Sequence, residues 1–239
     1  MPDWRNPQDY DFTQTLTAEQ WAWEFLRRNP RYREEWQRFI TLWRALEATY
    51  GKPAQRNVTA WKLDPRAWVP AESCRESDCV IDGDKVLIEC ALGASWGFYK
   101  FPPDPMDDDP IGGGRLVWRE VPQEMPLLAA GMAAPASVEQ TALVFDLGLP
   151  LTPQLEQAKR RLQIERRRRI AAEGMLPPRI VDHAPRLTRL LRLLDGLQQG
   201  APQSELVSGL SLAADRLERL TSEALALRDG DYRRLLLLD

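Results

Sequence analysis

The sequence predicts an α+β protein with an N-terminal helical pair, a small antiparallel sheet and a mostly helical second half. Apolar residues follow the 3.6-residue helical period over about 18–50, alternate from about 58, and return to the helical period after Pro153. With 239 residues, of which 44% are hydrophobic, the chain can form one large domain or two ordinary ones.

Two helices are predicted at the N-terminus from their end signals. Thr17 precedes Gln20 by three residues, which is the spacing of a capping box, so a helix is expected over about 18–28. Asn29 and Pro30 have the order of an N-cap and a first helical residue, and this second helix should end at Gly51. Seven of the nine tryptophans lie in residues 1–68, which indicates an aromatic helical core, with an exposed aromatic docking face as the alternative.

The middle of the chain predicts short strands. "CVIDGDKVLIEC" contains two of them around an Asp82-Gly83 turn, and "WGFYKF", "RLVWREV" and "TALVFDL" are further strand candidates. Residues 122–137 are rich in proline, alanine and methionine and are predicted as a linker. The chain is therefore expected to form a domain over 1–121 and a second domain over 138–239.

The second domain is predicted to be helical. A long helix follows Pro153, "EGMLPPRIVDHAP" interrupts the pattern, and a helix ending at Gly200 precedes a short helix and a longer one. This order, over about 186–228, is that of a helix-turn-helix, although many helical bundles share it.

Charge is concentrated in one part of this domain. The whole chain has a formal net charge of -3, yet residues 151–192 hold eleven basic residues against four acidic ones. Such a local field attracts polyanions. Seven of the basic residues lie between Lys159 and Arg169, where Glu165 is the nearby acid. DNA, an acidic protein surface and bare solvent are the alternatives for this block.

The chain also resembles a known family. "DWRNPQDYDFTQTLTAEQWAWEFLRRNPRYREEW" is similar to the N-terminal transcriptional-regulator-like domain of proteobacterial regulators encoded on mobile elements. "TALVFDLGLPLTPQLEQAKRRL" and the helices through "GDYRRLL" resemble their C-terminal DNA-binding domain. The family includes FseA-type activators of conjugative-element excision and the RovC-type activator of type VI secretion genes.

The resemblance implies a two-domain activator. Its C-terminal module would be an extended-turn helix-turn-helix with one basic face, and its N-terminal domain would dock against the opposite face. Double-stranded promoter DNA is then the expected partner, together with further copies of the chain, since one relative is hexameric, and RNA polymerase. Family members that act as antiactivators resemble the C-terminal domain alone.

The predicted DNA contacts are basic residues of three helical segments. The predicted recognition helix of the helix-turn-helix also carries Asp215, Glu218 and Glu223, whose negative charges repel phosphates. We therefore expect basic residues of several helices to contact the DNA together. The predicted set is Lys159, Arg160, Arg161, Arg166, Arg167, Arg168, Arg169, Arg186, Arg189, Arg192, Arg216 and Arg219.

No enzymatic centre, cofactor or metal site is predicted. His183 is the single histidine, and the spacing of Cys74, Cys79 and Cys90 lacks paired knuckles, so the cysteines are expected to be reduced thiols. The acidic loop that begins near Asp104 lacks the EF-hand spacing. Without a signal peptide or a long apolar run, the protein is expected in the cytoplasm and away from membranes.

These observations predict a DNA-binding transcriptional activator of mobile-element or secretion genes. The alternative is an interaction protein of the antiactivator kind, which binds a partner regulator and never contacts DNA. The net negative charge of residues 200–239 favours the alternative, whereas the arginine block and the N-terminal segment favour the activator.

Overall fold

The structure is a computed structural model that describes residues 2–74, 81–99, 101–107, 117–123 and 139–239. It is an α+β protein, as predicted. The chain forms two compact units, one of Met1–Val121 with Ala184–Asp239 and one of Pro122–His183.

The first helices form where their end signals predict. After a 3-10 helix over Pro7–Thr15, helix α1 spans Ala18–Leu26 and helix α2 spans Pro30–Tyr50. Thr17 and Gln20 form the reciprocal capping box, which confirms that prediction. Asn29 caps α2, and Gly51 ends it with a φ of 92°, a conformation that glycine adopts without a steric cost.

A small sheet follows, with boundaries that differ from those predicted. Helix α3 occupies Val58–Leu63, where an alternating pattern was expected. The strands are β1 (Trp68–Pro70), β2 (Ile81–Asp82) and β3 (Lys85–Leu87), in the antiparallel order β1-β3-β2. Val86 of β3 pairs with Val69 and is buried. The predicted hairpin around Asp82-Gly83 is confirmed.

Three of the predicted strands do not form among the described residues. Helix α4 (Ile88–Ser95) follows β3 directly, and the described residues of "WGFYKF" and "RLVWREV" contribute a single bridge, Phe98 to Trp118. "TALVFDL" is irregular, and no strand among the described residues pairs with its backbone. Instead, the Gln154 side chain accepts from the Asp146 backbone N–H and donates to its carbonyl oxygen.

The C-terminal part is helical. Its helices are α5 (Leu151–Ala172), α6 (Ile180–Gln198), α7 (Gln203–Gly209), α8 (Ala214–Ala226) and α9 (Tyr232–Leu235), with a π-helical turn over Leu227–Asp231. Helix α6 begins within the predicted break and contains Pro185. The Arg179–Asp182 ion pair lies at its first turn, and Pro185 removes one backbone hydrogen bond from the helix.

The aromatic core predicted for the N-terminal part is confirmed. Trp23 of α1 packs edge to face with Tyr32 and Phe98, and Trp43 of α2 packs against Trp61 and Phe101. The buried tryptophans of the described residues are Trp4, Trp21, Trp23, Trp36, Trp43, Trp61 and Trp96.

A buried polar network joins this core to helix α6. Arg28 donates from Nε to Asp195 Oδ1 at 2.7 Å and from Nη2 to Oδ2 at 2.9 Å, and its Nη1 pairs with Glu24 at 2.5 Å. Tyr10 donates its hydroxyl to Asp195 at 2.5 Å. Burial alone would lower the pKa of Arg28, but the hydrogen bonds and charges of Asp195 and Glu24 raise it above its usual value. Asp195 is fully buried, so this pairing is what makes its burial tolerable.

Other contacts extend the same junction along the C-terminal helices. Thr13 and Thr188 share a hydrogen bond of 2.7 Å, and the Tyr232 hydroxyl donates to the carbonyl oxygen of Trp96 at 2.9 Å. Residues 184–239 therefore belong to the same compact unit as the N-terminal elements, which differs from the predicted grouping over 138–239. The linker predicted over 122–137 lies almost entirely outside the described residues.

Trp4 packs between two helices of this unit at glycine positions. A Cβ on Gly209 would lie 2.7 Å from the Trp4 ring, and one on Gly196 would lie 2.6 Å from the Leu206 side chain and 3.1 Å from the same ring. Trp4 is fully buried and cannot move aside. The close approach of the Trp4 ring thus favours glycine at position 209, whereas at position 196 a Cβ would first displace the Leu206 side chain.

The cysteines differ from the prediction of three reduced thiols. Cys74 is disulfide-bonded, which makes the prediction wrong for this residue, whereas Cys90 is a reduced thiol. Cys79 lies outside the described residues. Both described cysteines pack against the small cluster of Val86, Ala91 and Ala94.

The Arg28–Asp195 pair should dominate the stability of the larger unit. Asp195→Ala leaves a buried guanidinium without its main partner, so we expect the free energy of unfolding to fall by about 3–5 kcal/mol. Urea denaturation measures this. Glu34→Ala, which removes the exposed Arg38–Glu34 pair, should cost about 0.5 kcal/mol or less and is the control. A loss below about 1 kcal/mol for Asp195→Ala contradicts the assignment.

The glycine contacts with Trp4 give a second expectation. Gly209→Ala should lower the free energy of unfolding by about 1–3 kcal/mol, because overpacking outweighs the gain in helix propensity. In a double-mutant cycle by urea denaturation, Trp4→Leu removes the ring that the new methyl group meets, so the two losses should be less than additive. Additive losses would mean that the methyl group meets something else.

Candidate nucleic-acid interface

Helix α5 carries the basic block on an exposed surface. None of its 22 residues is buried, and its basic side chains project from a helix that Gln154 anchors at its start. The helical period places Lys159 and Arg166 on one side of the helix and Arg160 and Arg167 on a neighbouring side. The two residues of each pair are about 10 Å apart along the helix axis. The helix therefore presents rows of cations instead of a single point of charge.

Acidic side chains engage two of the arginines. Glu165 accepts hydrogen bonds from Arg168 at 2.6 Å and from Arg169 at 2.9 Å, and Arg168 also pairs with Glu173 at 2.7 Å. Arg169 donates further to the Gln140 carbonyl oxygen. The hydrogen bonds from Arg168 and Arg169 lower the pKa of Glu165 to about 2. Glu165 is therefore ionised at neutral pH and orients both guanidinium groups.

The other basic residues of α5 differ from Arg168 and Arg169 in their surroundings. Among the residues that the structure describes, five exposed side chains form neither an ion pair nor a hydrogen bond. They are Lys159, Arg160, Arg161, Arg166 and Arg167. Like charges at this spacing repel one another, so an anion that lies across the rows lowers the electrostatic energy of the helix.

Helix α6 holds the next predicted set, and its members have different surroundings. Arg186 is exposed and pairs with Glu223 of α8 at 2.7 Å, while Arg189 is exposed. Arg192 donates to the backbone oxygens of Trp4, Arg5 and Gly209, and burial lowers its pKa. These bonds hold the N-terminal segment in place, and a phosphate contact by Arg192 stays a prediction.

Helix α8 presents the last two predicted residues. Arg216 and Arg219 are exposed on either side of the buried Leu217, and so are the acids Asp215 and Glu218. Glu223 faces Arg186, so one of the three acids of this helix is directed toward a cation of the protein itself. The turn between α7 and α8 contains Ser211 at a φ of 50°, a conformation uncommon outside glycine.

The residues considered for other chemistry have local structural roles. His183 lies 2.9 Å from the carbonyl oxygen of Pro177, and Asp104 accepts from the backbone N–H of Met106. Within the described part of the chain, no group of three histidine, cysteine or acidic residues has the geometry of a metal site. In that same part, no helix combines the length and apolar character that crossing a membrane requires.

Comparison with known proteins bears on the N-terminal part. Residues 3–63 match the family model of the proteobacterial transcriptional regulator-like domain. This match indicates a role in transcription regulation and covers Trp4, Tyr10, Arg28 and the first three helices. No curated protein and no solved structure matches the chain significantly.

The sequence predictions do not include the polar network that ties this regulator-like domain to α6, although one signal for it is present. Asp195 follows Leu191 by four residues and therefore lies on the apolar side of α6. A carboxylate on the apolar side of a helix indicates a buried partner. The identity of that partner, Arg28, depends on a contact 167 residues away in the chain.

Proposed function

We propose that this protein is a DNA-binding transcriptional activator. The observation that carries the proposal is the helix with five exposed cations that have no protein partner among the described residues, in a chain whose residues 3–63 match a transcriptional regulator-like domain. Arginine donates forked hydrogen bonds that suit phosphate oxygens, and four of the five are arginines. Promoter DNA is therefore the polyanion that fits helix α5 best.

Two kinds of contact are assigned to the predicted residues. The cations of α5, with Arg186 and Arg189 of α6, neutralise phosphates and so set affinity and its dependence on salt. Arg216 and Arg219 of α8, in a helix-turn-helix formed with α7, contact base edges and so set sequence preference. The acids of α8 keep the rest of that helix away from the phosphates.

The wider assignments rest on the resemblance. In this proposal the regulator-like domain contributes to self-association, including a hexamer, or to contact with RNA polymerase. The regulated genes belong to mobile elements or to secretion, and the protein acts in the cytoplasm.

The test is equilibrium binding of the full chain to its own upstream DNA and to random duplex, measured by fluorescence anisotropy across a salt series. With about five phosphates neutralised, the logarithm of the binding constant should fall against that of salt with a slope of about -4 to -5. The upstream DNA should bind more tightly than random duplex. No binding at low salt would overturn the proposal.

Removing two cations of α5 tests which helix contacts phosphates. Arg166→Gln with Arg167→Gln should weaken upstream and random DNA alike and reduce the salt slope by about 2. The same salt series measures it. The matched control, Arg38→Gln with Arg44→Gln, removes two exposed cations from α2 and should leave the slope unchanged. Equal effects in both double variants would mean that net charge alone controls binding.

Removing an arginine of α8 should reduce the preference of the protein for upstream DNA over random duplex. Arg219→Ala should lower the affinity ratio of upstream to random duplex by about tenfold, because a lost base contact costs about 1–3 kcal/mol. Competition anisotropy measures the ratio, with Arg234→Ala, an exposed arginine of α9, as control. A lower affinity at an unchanged ratio would assign Arg219 to phosphates.

One observation favours a second function. Leu151, Leu155 and Leu162 form an apolar stripe along α5 and are 47%, 54% and 40% exposed. Exposed stripes of this kind mark protein contacts. A protein that binds a partner regulator through this stripe, without contacting DNA, is the alternative, and failure of the anisotropy test would favour it.

A further inference from the structure

A cavity lies between the start of α2, the end of α4 and the π-helical turn that follows α8. Its volume is about 630 Å³, which is within the usual range for small-molecule sites. The three elements belong to the same compact unit. Its lining includes Asn29, Ser95, Trp96 and Tyr232.

The charged groups that line the cavity are mainly cationic. Arg31, Arg228 and Arg233 contribute guanidinium groups from three different elements, against the single carboxylate of Asp229. The start of α2 adds the partial positive charge of a helix N-terminus. A small anion is the ligand that such a wall attracts.

Two of these arginines keep donors available. Arg31 donates from Nε to Glu35 at 2.7 Å, and Arg228 binds Asp229 through Nε and Nη2 at 2.7 and 2.8 Å. Within the residues that the structure describes, Nη1 and Nη2 of Arg31 and Nη1 of Arg228 donate no hydrogen bond. The existing ion pairs orient both groups and leave these nitrogens for a ligand.

One side of the cavity is formed by the segment Leu227–Asp231, where the helical backbone is kinked. Gly230 in this segment has a φ of 169° and a ψ of -35°, which lie outside the helical region. The Asn29 side chain donates to the Arg228 carbonyl oxygen and to Asp229, both at 3.1 Å. These bonds hold the turn against the start of α2, which lies in the regulator-like domain.

We propose that this cavity binds a small organic dianion, a phosphate ester or a dicarboxylate, between Arg31, Arg228 and Arg233. The ligand bridges the regulator-like domain and the turn that continues α8. Bound there, it restrains the end of the helix to which the base contacts were assigned, so the site is that of an effector. The binding itself does not depend on DNA.

The test is isothermal titration of the full chain without DNA, at neutral pH and low ionic strength, with phenyl phosphate and with malonate as separate probes. We expect saturable binding of one dianion per chain, with a dissociation constant of about 1 mM or lower. Binding of phenyl phosphate alone would identify a phosphate ligand, and binding of malonate alone a carboxylate ligand. No saturable binding of either probe overturns the proposal.

Matched variants locate the binding. Arg31→Gln and Arg228→Gln should each weaken it about tenfold, since each removes a charge-assisted hydrogen bond. Arg38→Gln is the control, because Arg38 also lies on α2 and pairs with a glutamate four residues away, as Arg31 does. Arg31 is exposed, so its loss leaves the core intact.

A second control separates the cavity from helix α5. Arg166→Gln with Arg167→Gln should leave dianion binding unchanged, whereas these changes weaken DNA binding. An equal loss of dianion binding in this double variant, or in Arg38→Gln, would mean that the probes bind surface cations in general. That result overturns the cavity assignment and leaves the DNA proposal standing.

Discussion

The buried pairing of Arg28 with Asp195 is the interaction on which the larger unit depends. Both groups are charged and almost without solvent, so each is tolerable only because the other is present. Glu24 and Tyr10 complete the hydrogen bonds and belong to the regulator-like domain, whereas Asp195 belongs to α6. The regulator-like domain therefore completes its core with helices from the other end of the chain.

This arrangement separates the basic residues into two classes. Arg28 and Arg192 hold segments of the fold together, and Arg168 and Arg169 are oriented by Glu165. The remaining cations of α5 face solvent without partners in the described part of the chain, and these carry the proposed DNA contacts. A count of charges does not distinguish the classes, because the difference lies in the neighbours that folding supplies.

The junction also connects the two proposed binding sites. Helix α8 carries Arg216 and Arg219, and the π-helical turn at its end forms a wall of the arginine-lined cavity. The opposite wall is the start of α2, one residue beyond the Asn29 cap and two beyond Arg28. A ligand in the cavity would contact the start of α2, next to the residues that form the buried network. The same ligand would also contact the turn at the end of α8, which is how the proposed effector would influence that helix.

Local signals in the sequence determined the helices, because a capping box, an N-cap followed by proline and the helical period act between residues at most a few positions apart. They also determined the aromatic core and the basic character of α5. Tertiary structure alone decided that "TALVFDL" forms no strand, that α6 packs with the N-terminal domain, and that Arg192 bonds to backbone oxygens. A strand forms only where a second strand pairs its backbone hydrogen bonds, and a buried charge is stable only beside a group of opposite charge. Both the second strand and the opposite charge come from distant parts of the chain.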